Sequence, residues 1–208
     1  MIHLITQKNK SLYSETLTKM FEQRTALFVD RLNWNLKTTD GKEIDEFDTD
    51  DTVYLVLMDE SNLKIRSSIR LNPTTKPHLM SKLFSDLCQE GVPTGDEIVE
   101  GSRYCYNPDL MDIQDRRNAM RLMMCGVMEC AMLYGWQQIT FVINMPLLSH
   151  CLRCGWDIYP LGIPKYEDKM AIGAFAIDVT QEGLIAARAN ASLTEPSLVI
   201  TPSHKYAA

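Results

Sequence analysis

A chain of 208 residues with 45% hydrophobic content can bury one full core and is short for two, so a single domain over residues 1–208 is expected. Its 27 acidic against 21 basic residues leave a net charge of −6, which argues against general nucleic-acid binding, because that relies on Lys and Arg neutralising phosphates. The start, MIHLITQKNKSLY, lacks the basic segment and apolar core of a secretion signal, and no apolar run is long enough to cross a bilayer, so a cytoplasmic protein with no membrane span is expected.

Residues 2–6 alternate as a short strand. Apolar groups at 13, 17, 20, 21, 27 and 28 then form the stripe of an amphipathic helix, with Ser11 or Ser14 as its cap. Trp34 follows in a polar loop, where it either anchors the loop on the core or offers its face to a ligand. Asp40–Thr52, DGKEIDEFDTDDT, holds seven acids in thirteen residues. Such a run is a solvated loop, a cation site, or one wall of a cleft faced by arginines. An EF-hand count from Asp45 or Asp48 fails for want of the glycine at the sixth position and the glutamate at the twelfth.

The apolar run Val53–Met58 pairs with Leu63–Leu71 as a hairpin turning at Asp59–Asn62, and the spacing of Arg66 and Arg70 puts both on one strand face. NPTTKP leaves the sheet, His78–Leu87 has short helical character, and Gly91–Gly95 turns. Ile98–Tyr106 alternates as a strand with Ile98, Glu100, Ser102 and Tyr104 on one face and Val99, Arg103 and Cys105 on the other, unless Gly101 introduces a bulge. Asp112 caps the longest helix, which runs to Tyr134 with a Met-rich stripe and stops at Gly135. Beyond it come a strand at Gln137–Asn144, a helix at Pro146–Arg153, a strand at Met170–Val179, a helix to about Ser192, and a polar tail over roughly 194–208. The six cysteines read as reduced, buried thiols; Cys151 and Cys154 form a C-x-x-C without a second pair at zinc-like spacing, so no metal site is expected. This order of elements fits an α/β protein with a mixed sheet between helices.

The charged residues sort into carboxylates at 43, 45, 48 and 100 and guanidinium groups at 24, 70 and 103. Gathered in one cleft, they suit a zwitterion: arginine binds a carboxylate through two parallel hydrogen bonds, and aspartate holds an ammonium or another arginine. Phe28 and Trp34 add aromatic faces for a planar base or a sulfonium cation.

The order and wording of these motifs resemble the LuxI-type acyl-homoserine-lactone synthases, or autoinducer synthases, from the N-terminus to about Trp156. The pattern comprises Arg24 and Phe28 in RTALF, Trp34, Asp45 and Asp48 in GKEIDEFD, TVYL, Arg70 in RSSIRLNPTTKPHLM, and Glu100 and Arg103 in EGSRY. The resemblance implies a GNAT-like three-layer α-β-α sandwich around a mixed, mostly antiparallel twisted sheet. It also implies a reaction in which the amine of S-adenosylmethionine attacks an acyl thioester and the methionyl carboxylate then displaces the sulfonium group, closing the lactone and releasing methylthioadenosine. S-adenosylmethionine is then a substrate, and no metal or redox cofactor is called for.

Within that resemblance, Glu100 is expected as general base, directly or through a water, with Arg103 beside the reacting centre, where backbone N–H groups would meet the oxyanion. Arg24, Phe28, Trp34, Asp45, Asp48 and Arg70 are expected to hold S-adenosylmethionine. Ser102, Tyr104, Met124, Thr140, Phe141 and Val142 are expected around the acyl chain, in one of two registers: Thr140 with Val142, or Phe141 with Ile143. Acyl carrier protein is the first choice of donor, met by Arg153, His150 and Arg116, Arg117 or Arg121; acyl-coenzyme A is the alternative. Two rivals remain. A generic GNAT N-acyltransferase is opposed by the missing R/Q-x-x-G-x-G/A loop before the helix at 112–134, and a non-catalytic small-molecule sensor by the intact charged set.

Overall fold

A computed structural model describes residues 1–59, 61, 64–109, 112–167 and 170–201. Its main sheet comprises β1 (Ile2–Ile5), β4 (Val53–Met58), β5 (Ile65–Pro73), β6 (Ile98–Tyr106), β7 (Gln138–Asn144), β8 (Ile158–Pro160), β9 (Lys165–Glu167), β10 (Met170–Asp178) and β11 (Leu198–Ile200). The spatial order is β11-β1-β4-β5-β6-β7-β10-β8, with β9 also on β10; β2 (Thr38–Thr39) and β3 (Lys42–Glu43) form a separate hairpin. β1 with β11 and β6 with β7 run parallel, and the other described pairs are antiparallel. The helices are α1 (Ser14–Arg24), α2 (Leu79–Leu83), α3 (Ile113–Tyr134), α4 (Met145–Leu152) and α5 (Gln181–Ala191).

The continuous apolar run of β4 is explained by its central place. Val53, Leu55 and Leu57 pack under α3 with Met123, Val127 and Met128, while Tyr54, Val56 and Met58 pack under α1 with Met20. Helices therefore cover both faces, giving the three layers. Asp112 caps α3 by accepting from Asp115 N at 2.8 Å, and Gly135 closes it at φ 74°. Gly126 lets α3 cross close to β1: a Cβ there would sit 2.6 Å from Ile2 Cδ1. Met123, Met124 and Met128 of the Met-rich stripe are core, while Met132 is exposed.

Several expectations need correction. The first helix is three segments, a 3-10 turn at Lys10–Tyr13, α1, and a π-helical stretch at Thr25–Arg31, and neither Ser11 nor Ser14 caps α1. The segment expected as a polar tail contains β11, because buried Glu129 of α3 accepts hydrogen bonds from Ser197 N and Leu198 N and draws that backbone against β1. Residues 60, 62 and 63 of the β4–β5 turn, and 202–208 of the tail, lie outside the described residues.

Two register shifts decide which side chains share a face. Met58 faces Ile65 but Leu57 faces Ser67, so β5 carries one extra residue at Arg66. Arg66 is thereby turned off the face of Arg70, and its guanidinium lies 3.9 Å from Asp115 on α3. On β6 the step from Ser102 to Cys105 opposes the shorter step from Arg70 to Ser68, and Arg103 takes φ 55°. The bulge is thus at Arg103, not Gly101. Ser102 and Arg103 both meet groups on the α1 side, and Tyr104 joins the core on the α3 side.

Candidate active site

The acidic stretch is a folded loop, not a solvated one. Asp40 and Gly41 have φ 51° and 75°, the left-handed pair of a tight two-residue hairpin turn, and the β2–β3 hairpin they close delivers Glu43 beneath α1. A second turn follows, in which Asp48 N donates to Asp45 O (3.1 Å), Asp45 N to Asp48 Oδ2 (2.9 Å) and Phe47 N to Asp45 Oδ1 (2.9 Å). Phe47 is buried, and Asn72 Nδ2 of β5 donates to its carbonyl at 3.0 Å, which pins the loop to the sheet.

Around that loop three guanidinium groups meet three carboxylates. Arg24 donates from Nε to Glu43 Oε2 at 2.5 Å and grips Asp48 with both terminal nitrogens at 2.8 and 3.0 Å. Arg70 donates to Ser102 Oγ at 3.0 Å and Asp45 Oδ1 at 2.5 Å, with Asp48 Oδ1 3.1 Å away. Arg103 donates from Nη2 to Glu43 Oε1 at 3.1 Å and Asp45 Oδ2 at 2.8 Å. The Tyr54 hydroxyl adds a bond to Asp48 Oδ1 at 2.9 Å. Charges in this set balance, which is what lets so many be buried. Burial opposes ionisation of Asp48, but Arg24 and then Arg70 outweigh it and hold that carboxyl well below the usual range. For Arg24, burial pulls its affinity for the proton down and Asp48 and Glu43 more than restore it. Burial, and then the Asp48 charge, push the Tyr54 phenol up.

The set is not closed on itself. Arg70 Nη2 is buried without a hydrogen-bond partner, and Asp45, at 19% side-chain exposure, is its most open carboxylate. Beside it Phe28 and Trp34 stack at 4.9 Å and 13°, with the Arg103 guanidinium 5.8 Å from the Phe28 ring. The π-helical stretch makes this pair possible: its widened turn ends in a chain reversal where Trp34 N donates to Phe28 O at 2.9 Å.

Glu100 lies on the same sheet face, fully buried, with Oε2 accepting from Leu79 N at 3.0 Å and Oε1 from Met80 N at 2.5 Å. Burial raises the affinity of this carboxyl for a proton, and the two N–H donors, the nearby His78 and Arg70 work against that. Next to Glu100 the sheet opens. Parallel pairing of β6 with β7 stops at Gly101 and Phe141, although β6 continues to Tyr106 along β5 and β7 to Asn144 along β10. Among the described residues, the edge of β6 from Ser102 onward therefore lacks a strand partner on the β7 side.

The residues expected around the acyl chain divide between the two faces. Ser102 bonds Arg70, Thr140 is paired beside Glu100, and Val142 packs against the cluster of Met80, Leu87 and Ala174. Tyr104, Met124 and Phe141 pack on the α3 side, where Phe141 stacks on Phe175 at 5.9 Å. The pairing thus puts Thr140 and Val142, not Phe141, on the face of Glu100. Glu43 was grouped with the carboxylates in sequence but given no role; the Asp-Gly turn was the signal that would have placed it. Tyr54 lies in TVYL and His78 in RSSIRLNPTTKPHLM, but neither was given a role, since only the folded neighbourhood brings them beside Asp48 and Glu100. Cys151 and Cys154 are free and buried, with burial pushing their thiols up to about 12 and about 11.

A family model described as autoinducer synthase matches residues 8–186. The isovaleryl-homoserine lactone synthase of Bradyrhizobium diazoefficiens is 32% identical over 188 residues, covering 88% of this chain and 82% of that protein. An acyl-homoserine-lactone synthase of Rhizobium etli is 28% identical over 195 residues, covering 92% and 91%. Among solved structures, the CoA-dependent acyl-homoserine lactone synthase BjaI, with SAM and isopentyl-CoA, superposes with a TM-score of 0.89 at 28% identity over 97% of this chain and 93% of that one. With a family model matched over residues 8–186 and a relative 32% identical over 88% of its length, the chain belongs to the autoinducer synthase family.

Proposed function

We propose that the protein is an acyl-homoserine-lactone synthase that acylates the amine of S-adenosylmethionine from an acyl thioester and then closes the lactone, releasing methylthioadenosine. The observation that carries this reading is the balanced arginine–carboxylate set with an open carboxylate, an orphaned arginine donor and a stacked aromatic pair at one edge. Asp45 takes the substrate ammonium and Arg70 Nη2 its carboxylate, while Phe28 and Trp34 line the adenosyl side. Arg24 and Asp48 hold the loop in shape from beneath. Glu100 removes the proton that keeps the amine from being a nucleophile, and the raised proton affinity that burial gives it suits that task. Arg103 holds the bulge whose neighbouring N–H groups face the developing oxyanion.

The thioester enters the wedge between β6 and β7, where the unpaired edge of β6 offers backbone groups to an extended amide-bearing arm. Ser102, Thr140 and Val142 line one side of the acyl chain; Tyr104, Met124 and Phe141 form the core wall behind it. Acyl-coenzyme A is the preferred donor, a change from the carrier protein that sequence favoured. Support comes from BjaI and from MesI, a CoA-dependent acyl-homoserine lactone synthase with a TM-score of 0.85 at 29% identity over 96% of this chain and 99% of that one. Further support is a shallow basic surface cleft lined by Arg117, Arg121, His150 and Arg153. Among the described residues these arginines form no ion pair with a carboxylate and are free to meet phosphate.

The test supplies purified protein with S-adenosylmethionine and matched panels of acyl-coenzyme A and acyl-carrier-protein thioesters, and measures lactone and methylthioadenosine by mass spectrometry. Lactone with equimolar methylthioadenosine from the coenzyme A panel is the expected result. No lactone from either panel would sink the synthase reading, and lactone from the carrier panel alone would reverse the donor assignment.

A further inference from the structure

Four basic side chains converge on the shallow cleft at the α3 side of the sheet. Arg117 and Arg121 stand four residues apart on one face of α3, and His150 and Arg153 stand three apart where α4 ends. Cys154, 2% exposed, forms the floor, and its thiol donates to His150 O at 3.4 Å. Asn190 of α5 closes the third side, where its Nδ2 donates to Arg153 O at 2.6 Å and fixes the end of α4 against α5. Burial pushes the Cys154 thiol up to about 11 and Arg121 works against it, which puts that guanidinium near the floor.

Like charges at this spacing repel, and they gather here in a chain whose net charge is −6. The helix dipole accounts for half of the group, because His150 and Arg153 suit the negative end of α4. It does not account for Arg117 in the N-terminal part of α3, where the dipole favours acids such as Asp112 and Asp115. Neutralisation within the chain fails as well: among the described residues Arg117, Arg121 and Arg153 form no ion pair with a carboxylate. The arrangement calls for an anion from outside the chain. It also lies on the donor's route. α4 starts at Met145, directly after β7, and the Cys154 and Cys151 thiols both act on the Tyr104 phenol, which β6 carries beyond the end of the β6–β7 pairing. The floor of the cleft and the wedge are therefore neighbours.

We infer that the cleft is a phosphomonoester site: it holds the 3′-phosphate of acyl-coenzyme A and is the place where the protein tells that donor from an acyl carrier protein. This rests on the synthase reading and adds to it a specificity determinant for the donor. A phosphomonoester brings roughly two negative charges at neutral pH and three strong acceptor oxygens, so Arg117, Arg121 and Arg153 can each take one. The phosphodiester on a carrier's arm has a single charge and two free oxygens, and it leaves one guanidinium unanswered. Shallowness fits a group at the far end of the donor, which must be gripped without being swallowed.

The experiment uses donors that differ only in that group. With purified protein and one acyl group, acyl-coenzyme A should show a KM about 10- to 100-fold below that of acyl-dephospho-coenzyme A, at a kcat within about twofold. In Arg121→Gln and in Arg153→Gln the KM for acyl-coenzyme A should rise until the two donors differ by less than about threefold. Equal KM values in wild type, or a preference that both variants keep, would overturn the proposal. So would an equal loss of kcat/KM in the variants with an acyl-carrier-protein thioester, which would make the cleft a dock for an acidic protein. Calorimetry supplies a readout that needs no turnover: coenzyme A should bind wild type more tightly than dephospho-coenzyme A, and Arg121→Gln should remove the difference. That preference without any lactone would sink the synthase reading and leave the phosphate site standing. Lactone from both donors at equal affinity would do the reverse.

Discussion

Two buried ionic systems lie on opposite faces of the sheet, and they are finished differently. On the α3 side Glu129 is fully satisfied: Oε1 accepts from Arg188 at 3.0 and 2.8 Å, and Oε2 from Ser197 N, Ser197 Oγ and Leu198 N at 2.8, 2.8 and 3.2 Å. On the α1 side the set of Arg24, Arg70 and Arg103 with Glu43, Asp45 and Asp48 leaves Arg70 Nη2 unpaired and Asp45 open. The first has no capacity left and does one thing, fastening α5 and β11 to α3. The second keeps hydrogen-bonding capacity in reserve at a place where the sheet also opens. Unspent capacity, rather than burial of charge, is what separates a binding site from a structural clasp.

Breaking the α1-side set at its most buried member should have the largest effect. Arg24→Ala strands Glu43 and Asp48 and should cost about 3–5 kcal/mol in denaturant unfolding, with turnover abolished. Arg70→Lys keeps the charge but loses the spare donor, and should lower kcat/KM for S-adenosylmethionine by about 10- to 100-fold with a smaller loss of stability. On the other face, Glu129→Gln should cost about 1–3 kcal/mol and loosen β11 in hydrogen exchange, while leaving turnover per folded molecule unchanged. A loss of S-adenosylmethionine affinity from Glu129→Gln would erase the distinction between the two systems.

Acidity sharpens the same comparison. Because Asp48 has a lower proton affinity folded than unfolded, the unfolded chain binds more protons as pH falls. Its contribution is therefore complete at neutral pH and fades as pH falls from about 4 toward the folded value. The stability gap between wild type and Asp48→Asn should be full at pH 7 and close on acidification below that range, measured by urea unfolding across pH. The smallest effect is expected at Trp34→Phe, which keeps an aromatic face over Phe28 and should cost about 0.5–1.5 kcal/mol of substrate affinity.

Much of this was legible in the chain itself. An unbroken apolar run marked β4 and apolar periodicity marked α3, and Asp112 and Gly135 marked the ends of α3 as the structure has them. The residues of the charged set were also on the page, since arginines and acids in such number need one another. Their pairing was not. Glu43 enters only because Asp40 and Gly41 close a hairpin, and Glu100 meets the N–H groups of α2 only because β6 lies beside that helix in the folded chain.

What sequence determined was composition and period: the six strands of four or more residues, which helix is core, and which charges must be answered. What tertiary structure alone decided was facing. Side chains on a strand alternate every residue, so one inserted residue moves everything beyond it to the other side of the sheet. The extra residue at Arg66 turned that arginine toward Asp115, and the one at Arg103 brought Arg103 to the acidic loop and sent Tyr104 to the core. Likewise Thr140 and Phe141 were equivalent candidates until β7 paired in parallel with β6 and set Thr140 opposite Glu100. Register is a property of two strands, and no single stretch of chain contains it.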